Sequence, residues 1–191
     1  MTAMPPSCQD ASQPQLLTVG HGTAGEACFG ELLRQAGVQL VVDVRSAPGS
    51  RRHPQFRRAE LERWLPAAGI GYRWEPRLGG FRRPAPDSPN VSLRHLAFRG
   101  YADHMATGAF SDALAGVLGD AAHATAAIMC AESLWWRCHR RLIADAAVLI
   151  HHAGVWHLGH DGGLAGHRLT EGARLAGTGV LVYDGGQQAM A

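Results

Sequence analysis

Apolar residues gather in short runs at 16–19, 39–44, 70–74, 125–129 and 155–158, each bounded by polar or glycine-rich residues, and these read as strands. The run at 39–44 is nearly continuous, as expected of a strand covered on both faces. Helical patterns lie between them. Thr23-Ala24-Gly25-Glu26 has the spacing of a capping box opening a helix that ends near Gly37. Further helical patterns cover 57–68, 99–105, 110–122 and a long segment at 134–153. A late edge strand is expected at 180–183.

Breakers separate these elements. Residues 46–54 are rich in Ser, Pro, Gly and Arg and read as a loop, and 78–92 holds Gly79-Gly80 and three prolines, which predicts a surface excursion. The glycine-rich stretch 161–166 and the residues from Gly185 onward read as loosely held. Strands alternating with helices predict an α/β fold: a single-domain three-layer sandwich with a mainly parallel sheet and helices on both faces. The domain is expected at 16–184, between a disordered tail at 1–15 and a flexible tail at 185–191.

Composition narrows the setting. Of 191 residues, 46% are hydrophobic and 18% charged, a globular balance sufficient for one core. No apolar run approaches the roughly 18 residues of a membrane span, and residues 1–15 lack the charged start and apolar stretch of an export signal. Four cysteines without a dense framework suit a reducing compartment, so a cytoplasmic location is expected. The net charge is only +2, yet the arginines are uneven: ten fall between Arg45 and Arg83, a positive stretch fit for an anionic small molecule or nucleic acid. The oligomeric state is not encoded in any feature of the sequence.

In open parallel sheets the loops beyond the C-terminal strand ends form the binding crevice. Three such ends are polar here: Gly20-His21-Gly22-Thr23, Asp43-Val44-Arg45-Ser46 and Cys130-Ala131-Glu132-Ser133. Sharing one edge, they would bring His21, Asp43, Arg45, Cys130 and Glu132 to a common cleft. A thiol between a strand end and a helix start is drawn toward the thiolate by backbone N–H groups, which makes Cys130 the first candidate. Glu132, Cys138, His139 and Arg140 follow within a short span. Three chemistries fit: a Cys130 nucleophile served by Glu132 or His139, a Cys130/Cys138 redox pair, or a zinc or iron ion held by Cys130, Cys138, His139 and His157. The gap between the cysteines matches no common zinc-ribbon spacing, and Cys-x-x-Cys is absent. Arg45, Arg51 and Arg140 are candidate anion ligands, although Asp43 and Arg45 would equally form an ion pair fixing the strand end. Trp135 and Trp136 would floor a ligand site or fill core.

These residues fall in a recognisable order. Thr18-Val19-Gly20-His21, Asp43-Val44-Arg45 with Pro48, Ser50 and Arg51, Gly69-Ile70 with Tyr72, Leu78-Gly79-Gly80, Arg99-Gly100-Tyr101, Cys130-Ala131-Glu132 and Cys138-His139-Arg140 together resemble the DUF488 family. The resemblance runs from about Thr18 to His157. It implies an α/β fold and a paired-cysteine signature suggestive of an enzyme or a metal site, with Cys130, Glu132, Cys138 and His139 at its centre, and supplies no substrate. A looser likeness to the strand-end cysteine of sulfurtransferases and cysteine phosphatases keeps sulfur or phosphoryl transfer as an outlying alternative, although Arg137 falls one residue late for the phosphatase loop and Trp135-Trp136 would crowd it.

Overall fold

A parallel sheet is assembled around the first strand, β1 (Gln15–Gly20), which lies between β4 (Ala126–Cys130) and β5 (Gly154–Leu158). The computed structural model describes residues 14–177 and 179–186. Most of the expected N-terminal tail, at 1–13, and the last five residues of the C-terminal one lie outside that range. Beyond β4 come β2 (Leu40–Asp43) and β3 (Gly71–Trp74), and the far edge is the antiparallel β6 (Leu164–Gly166), giving the order β3-β2-β4-β1-β5-β6.

Alternation along the strands sends side chains to two cores. Leu17 and Val19 of β1 pack with Phe29, Leu32 and Leu33 of α1 (Glu26–Gln35) and with Leu61, Trp64 and Leu65 of α2 (Arg58–Ala67). Leu16, Val42, Ile128 and Cys130 face the other side. There they meet α3 (Leu96–Met105), α4 (Gly108–Ala121) and α5 (Arg140–His151). The chain is thus the expected three-layer α/β sandwich. None of its described helices is long and apolar enough to cross a membrane.

Handedness then places the polar edge. From β1 the chain crosses to β2 on one side, and from β4 it crosses to β5 on the other. Right-handed crossovers in opposite directions require helices on opposite faces, which is where α1 and α5 lie. The direction reverses between β1 and β4, and their register sets Gly20 beside Cys130 at the C-terminal edge.

Several local expectations are corrected. Helix α1 is capped by Gly25 with no side-chain cap, so the Thr23 box is unused. Helix α5 starts at Arg140 rather than at 134, because 135–137 form a single 3-10 turn and Cys138 is extended, with φ −118° and ψ 152°. The glycine-rich stretch is not loose: Gly162, at φ 79°, and the Asp161 carboxylate shape a tight turn that delivers β6 to the sheet. The late strand β8 (Leu181–Tyr183) pairs with β7 (Ala173–Leu175) in a separate two-stranded sheet instead of edging the main one.

That hairpin is tied to α5 by one buried carboxylate. Asp145 accepts from the Tyr183 hydroxyl at 2.9 Å, His167 Nε2 at 2.8 Å and the Thr170 amide at 2.9 Å. Asp145→Ala strands three buried donors and should destabilise the fold by about 2–4 kcal/mol in urea titration. A loss under about 1 kcal/mol would show that the hairpin is held by other contacts.

Candidate functional site

The loop joining β4 to α5 folds back so that both its ends deliver chemistry to one point. Cys130 closes β4 on the α5 side of the sheet, and Cys138 and His139 precede α5. His139 Nδ1 lies 3.9 Å from Cys130 Sγ and 3.7 Å from Cys138 Sγ. All three donor atoms fall within 4.8 Å of one another. His139 Nε2 donates to the Val44 carbonyl at 3.1 Å, so in the neutral tautomer the Nδ1 lone pair is directed at the two sulfurs.

Charge at this point is set by Arg140. Its side chain is almost wholly buried, and among the described residues no carboxylate forms an ion pair with it. Its Nε donates to Cys138 Sγ at 3.4 Å and its Nη2 to the Glu132 carbonyl. A buried cation needs a counter-charge, and sulfur is the group available. A hydrogen bond from Cys130, together with His139, when protonated, and Arg140, holds Cys138 well below the usual thiol range. The same bond, with burial, pushes Cys130 up, so the pair shares a proton and Cys138 is the thiolate. The Glu132 amide also hydrogen-bonds the Cys130 sulfur.

Glycines admit these groups. A Cβ on Gly20 would overlap the Glu132 carbonyl oxygen and the Arg140 guanidinium. At Gly80 a Cβ would stand 3.1 Å from His139 Nδ1, so a side chain there would push the imidazole aside by a few tenths of an ångström. The next residue, Phe81, is held at φ 61° with its ring in solvent. Tyr101 completes the wall, its ring 5.1 Å from that of His139 and its hydroxyl donating to the Leu78 carbonyl at 2.7 Å.

Comparison with known families gives one match, to the model described as a domain of unknown function, DUF488, over residues 26–147. The chain belongs to the DUF488 family. No curated protein and no solved structure matches it. The matched span of this DUF488 protein contains Asp43, Arg45, Arg51, Cys130, Glu132, Cys138, His139 and Arg140, while His21 and His157 lie outside it.

The three polar strand ends do share an edge, but not one face. Asp43 points to the α1/α2 side, where its carboxylate accepts from Arg45 Nε at 2.8 Å, Arg45 Nη2 at 2.6 Å and the Tyr72 hydroxyl at 2.9 Å. Arg45 also reaches the Phe56 carbonyl and His21 Nε2, so each guanidinium nitrogen has a protein partner. His21 stacks on Phe56 at 4.1 Å and donates from Nδ1 to the Gly22 carbonyl. These three residues form a buried strut behind the cysteines. Glu132 is half-buried, its carboxylate accepting from the Leu134 amide within the loop. Arg51 is exposed. Of the arginine-rich stretch, Arg58, Arg63, Arg73 and Arg77 pair with Glu62, Glu60, Glu75 or Asp120.

His157 stands apart from the sulfur group. It accepts from the Thr18 hydroxyl at 2.7 Å, meets His167 Nδ1 at 2.9 Å through Nε2 and is covered by Trp135 stacked at 3.9 Å. With Asp145 this makes a chain of polar groups under the loop. Sequence reasoning missed His167, Asp145 and Tyr101. Only Tyr101 carried a signal, as part of Arg99-Gly100-Tyr101.

Burial first, then Arg45, lowers His21 to a pKa of about 4; burial and then His167 lower His157 to about 3. Both are therefore neutral in the fold and take up protons in the unfolded chain below roughly pH 6.5. Their stabilising contribution is complete above that pH and is lost as pH falls toward the folded values. Urea midpoints should drop between pH 7 and 4.5, by up to about 2 kcal/mol per histidine. Equal stability at the two pH values would contradict the neutral, buried assignment.

Proposed function

We propose that this protein is a metal-dependent enzyme whose ion is held by Cys130, Cys138 and His139 Nδ1, with the fourth position open to water or an anionic substrate. The observation that carries this reading is the spacing of the donors. Zinc–sulfur and zinc–nitrogen bonds of about 2.3 and 2.05 Å at tetrahedral angles require sulfur–nitrogen edges of about 3.6 Å. The edges here are 3.7 and 3.9 Å. Thiolate and imidazole donors favour zinc or iron over hard cations.

The count of donors favours catalysis over a structural role. Structural zinc sites close with four protein ligands, whereas catalytic ones keep three and an open position. Among the described residues the ligand group has three members. Such an ion supplies Lewis acidity at its open position. The chain's own groups do the rest: the Val44 carbonyl orients His139, and Arg140 stabilises the Cys138 thiolate. Two thiolates neutralise a divalent ion, so the Arg140 charge leaves the centre net positive and suited to an anion.

A second reading rests on the same Cys138 thiolate: a metal-free nucleophile or redox thiol, with Cys130 as its hydrogen-bonding partner. Elemental analysis with thiol counting separates the two. The metal site predicts about one equivalent of zinc or iron, thiols at Cys130 and Cys138 that react only after chelation, and loss of the ion in a folded Cys138→Ser variant. Metal-free protein with one fast-reacting buried thiol would replace the metal centre with the thiol chemistry.

A further inference from the structure

A groove of about 1030 Å³ lies between the 91–98 segment, Trp135 and Trp136, the start of α5 and residues 168–172. Its size suits a small-molecule ligand. Trp135 is held down on His157, and Trp136 stands at 89° to it with half its surface in solvent. The Trp136 indole thus lines the groove half-exposed, with no ring stacked parallel to it among the described residues.

The groove is also basic. Arg94, Arg141 and Arg168 line it against a single carboxylate, that of Glu171. Many arginines elsewhere in the fold are ion-paired, yet none of these three forms an ion pair among the described residues. Arg141 lies with its guanidinium 5.0 Å over the Phe98 ring, and its Nε is buried without a hydrogen-bond partner. Three arginines without ion-pair partners lining one groove leave it with an uncompensated positive charge that suits an anion. An arginine fork suits a phosphate, and an exposed indole suits a nucleobase.

We propose that this groove binds a nucleotide unit, its base stacked on Trp136 and its phosphate held by Arg141 and Arg168. Glu171 at the rim accepts from base amino or sugar hydroxyl groups. This site is separate from the cysteine centre and does not depend on its having a metal.

The test is calorimetric titration of the full chain with AMP, adenosine and a short single-stranded oligonucleotide, each with and without chelator. AMP or the oligonucleotide should bind, weakened at least about fivefold by Trp136→Ala and by Arg168→Ala. Both side chains are exposed enough for these variants to keep the fold, which circular dichroism checks. Adenosine should bind more weakly than AMP and be indifferent to Arg168→Ala. Binding of AMP as tight as that of the oligonucleotide identifies the free nucleotide as the source, and binding of the oligonucleotide alone identifies a polymer. The proposal falls if neither binds, if both substitutions leave binding unchanged, or if chelator abolishes it, which would place the ligand at the cysteine centre.

Discussion

The guanidinium of Arg140, shut away from water and met by sulfur rather than carboxylate, is the interaction on which the functional edge depends. Leaving that cation unpaired in the interior is too costly for the fold to tolerate. The neighbouring thiol is therefore held as a thiolate, and the Glu132 carbonyl is turned inward to take the second arm. Those two demands pull 131–139 off the helical path, so α5 cannot begin until Arg140. They also fix Gly20, since a side chain there would occupy the place of the guanidinium.

Parallel topology explains why two polar systems coexist so near one another. Alternating side chains send Asp43 and Arg45 to the α1/α2 side, while the carbonyl of Val44, just past the end of β2, is left to accept from His139. The first system is closed on itself through Arg45, His21 and Phe56. The second has a lone pair and two sulfurs facing a common point. The same strand end thus supplies rigidity behind the sheet and orientation in front of it.

Much of the fold was legible because strands buried on both faces leave apolar runs that little else produces. The order of those runs, with helical patterns between them, carried the three-layer arrangement. The candidate cluster was legible only as residues near one another in sequence. Their convergence depends on a 3-10 turn at Trp135–Arg137 and an extended Cys138, and a helical pattern cannot reveal where inward-pointing side chains override it. Asp145 and His167 were illegible for a different reason. Each is an ordinary residue of its own segment, and their meeting depends on a hairpin whose short strands have no periodicity to read.

The sulfur and nitrogen donors sit within a single short loop, with residues 131–137 between the two cysteines. Closure entropy grows with the logarithm of loop length, about 0.6 kcal/mol per doubling, so gathering these donors costs roughly 2–3 kcal/mol less than bringing together groups over a hundred residues apart. The sequence distance that stays costly is the one the sheet bridges: Val44, whose carbonyl orients His139, lies 95 residues away and is brought to the loop by the pairing of β2 with β4.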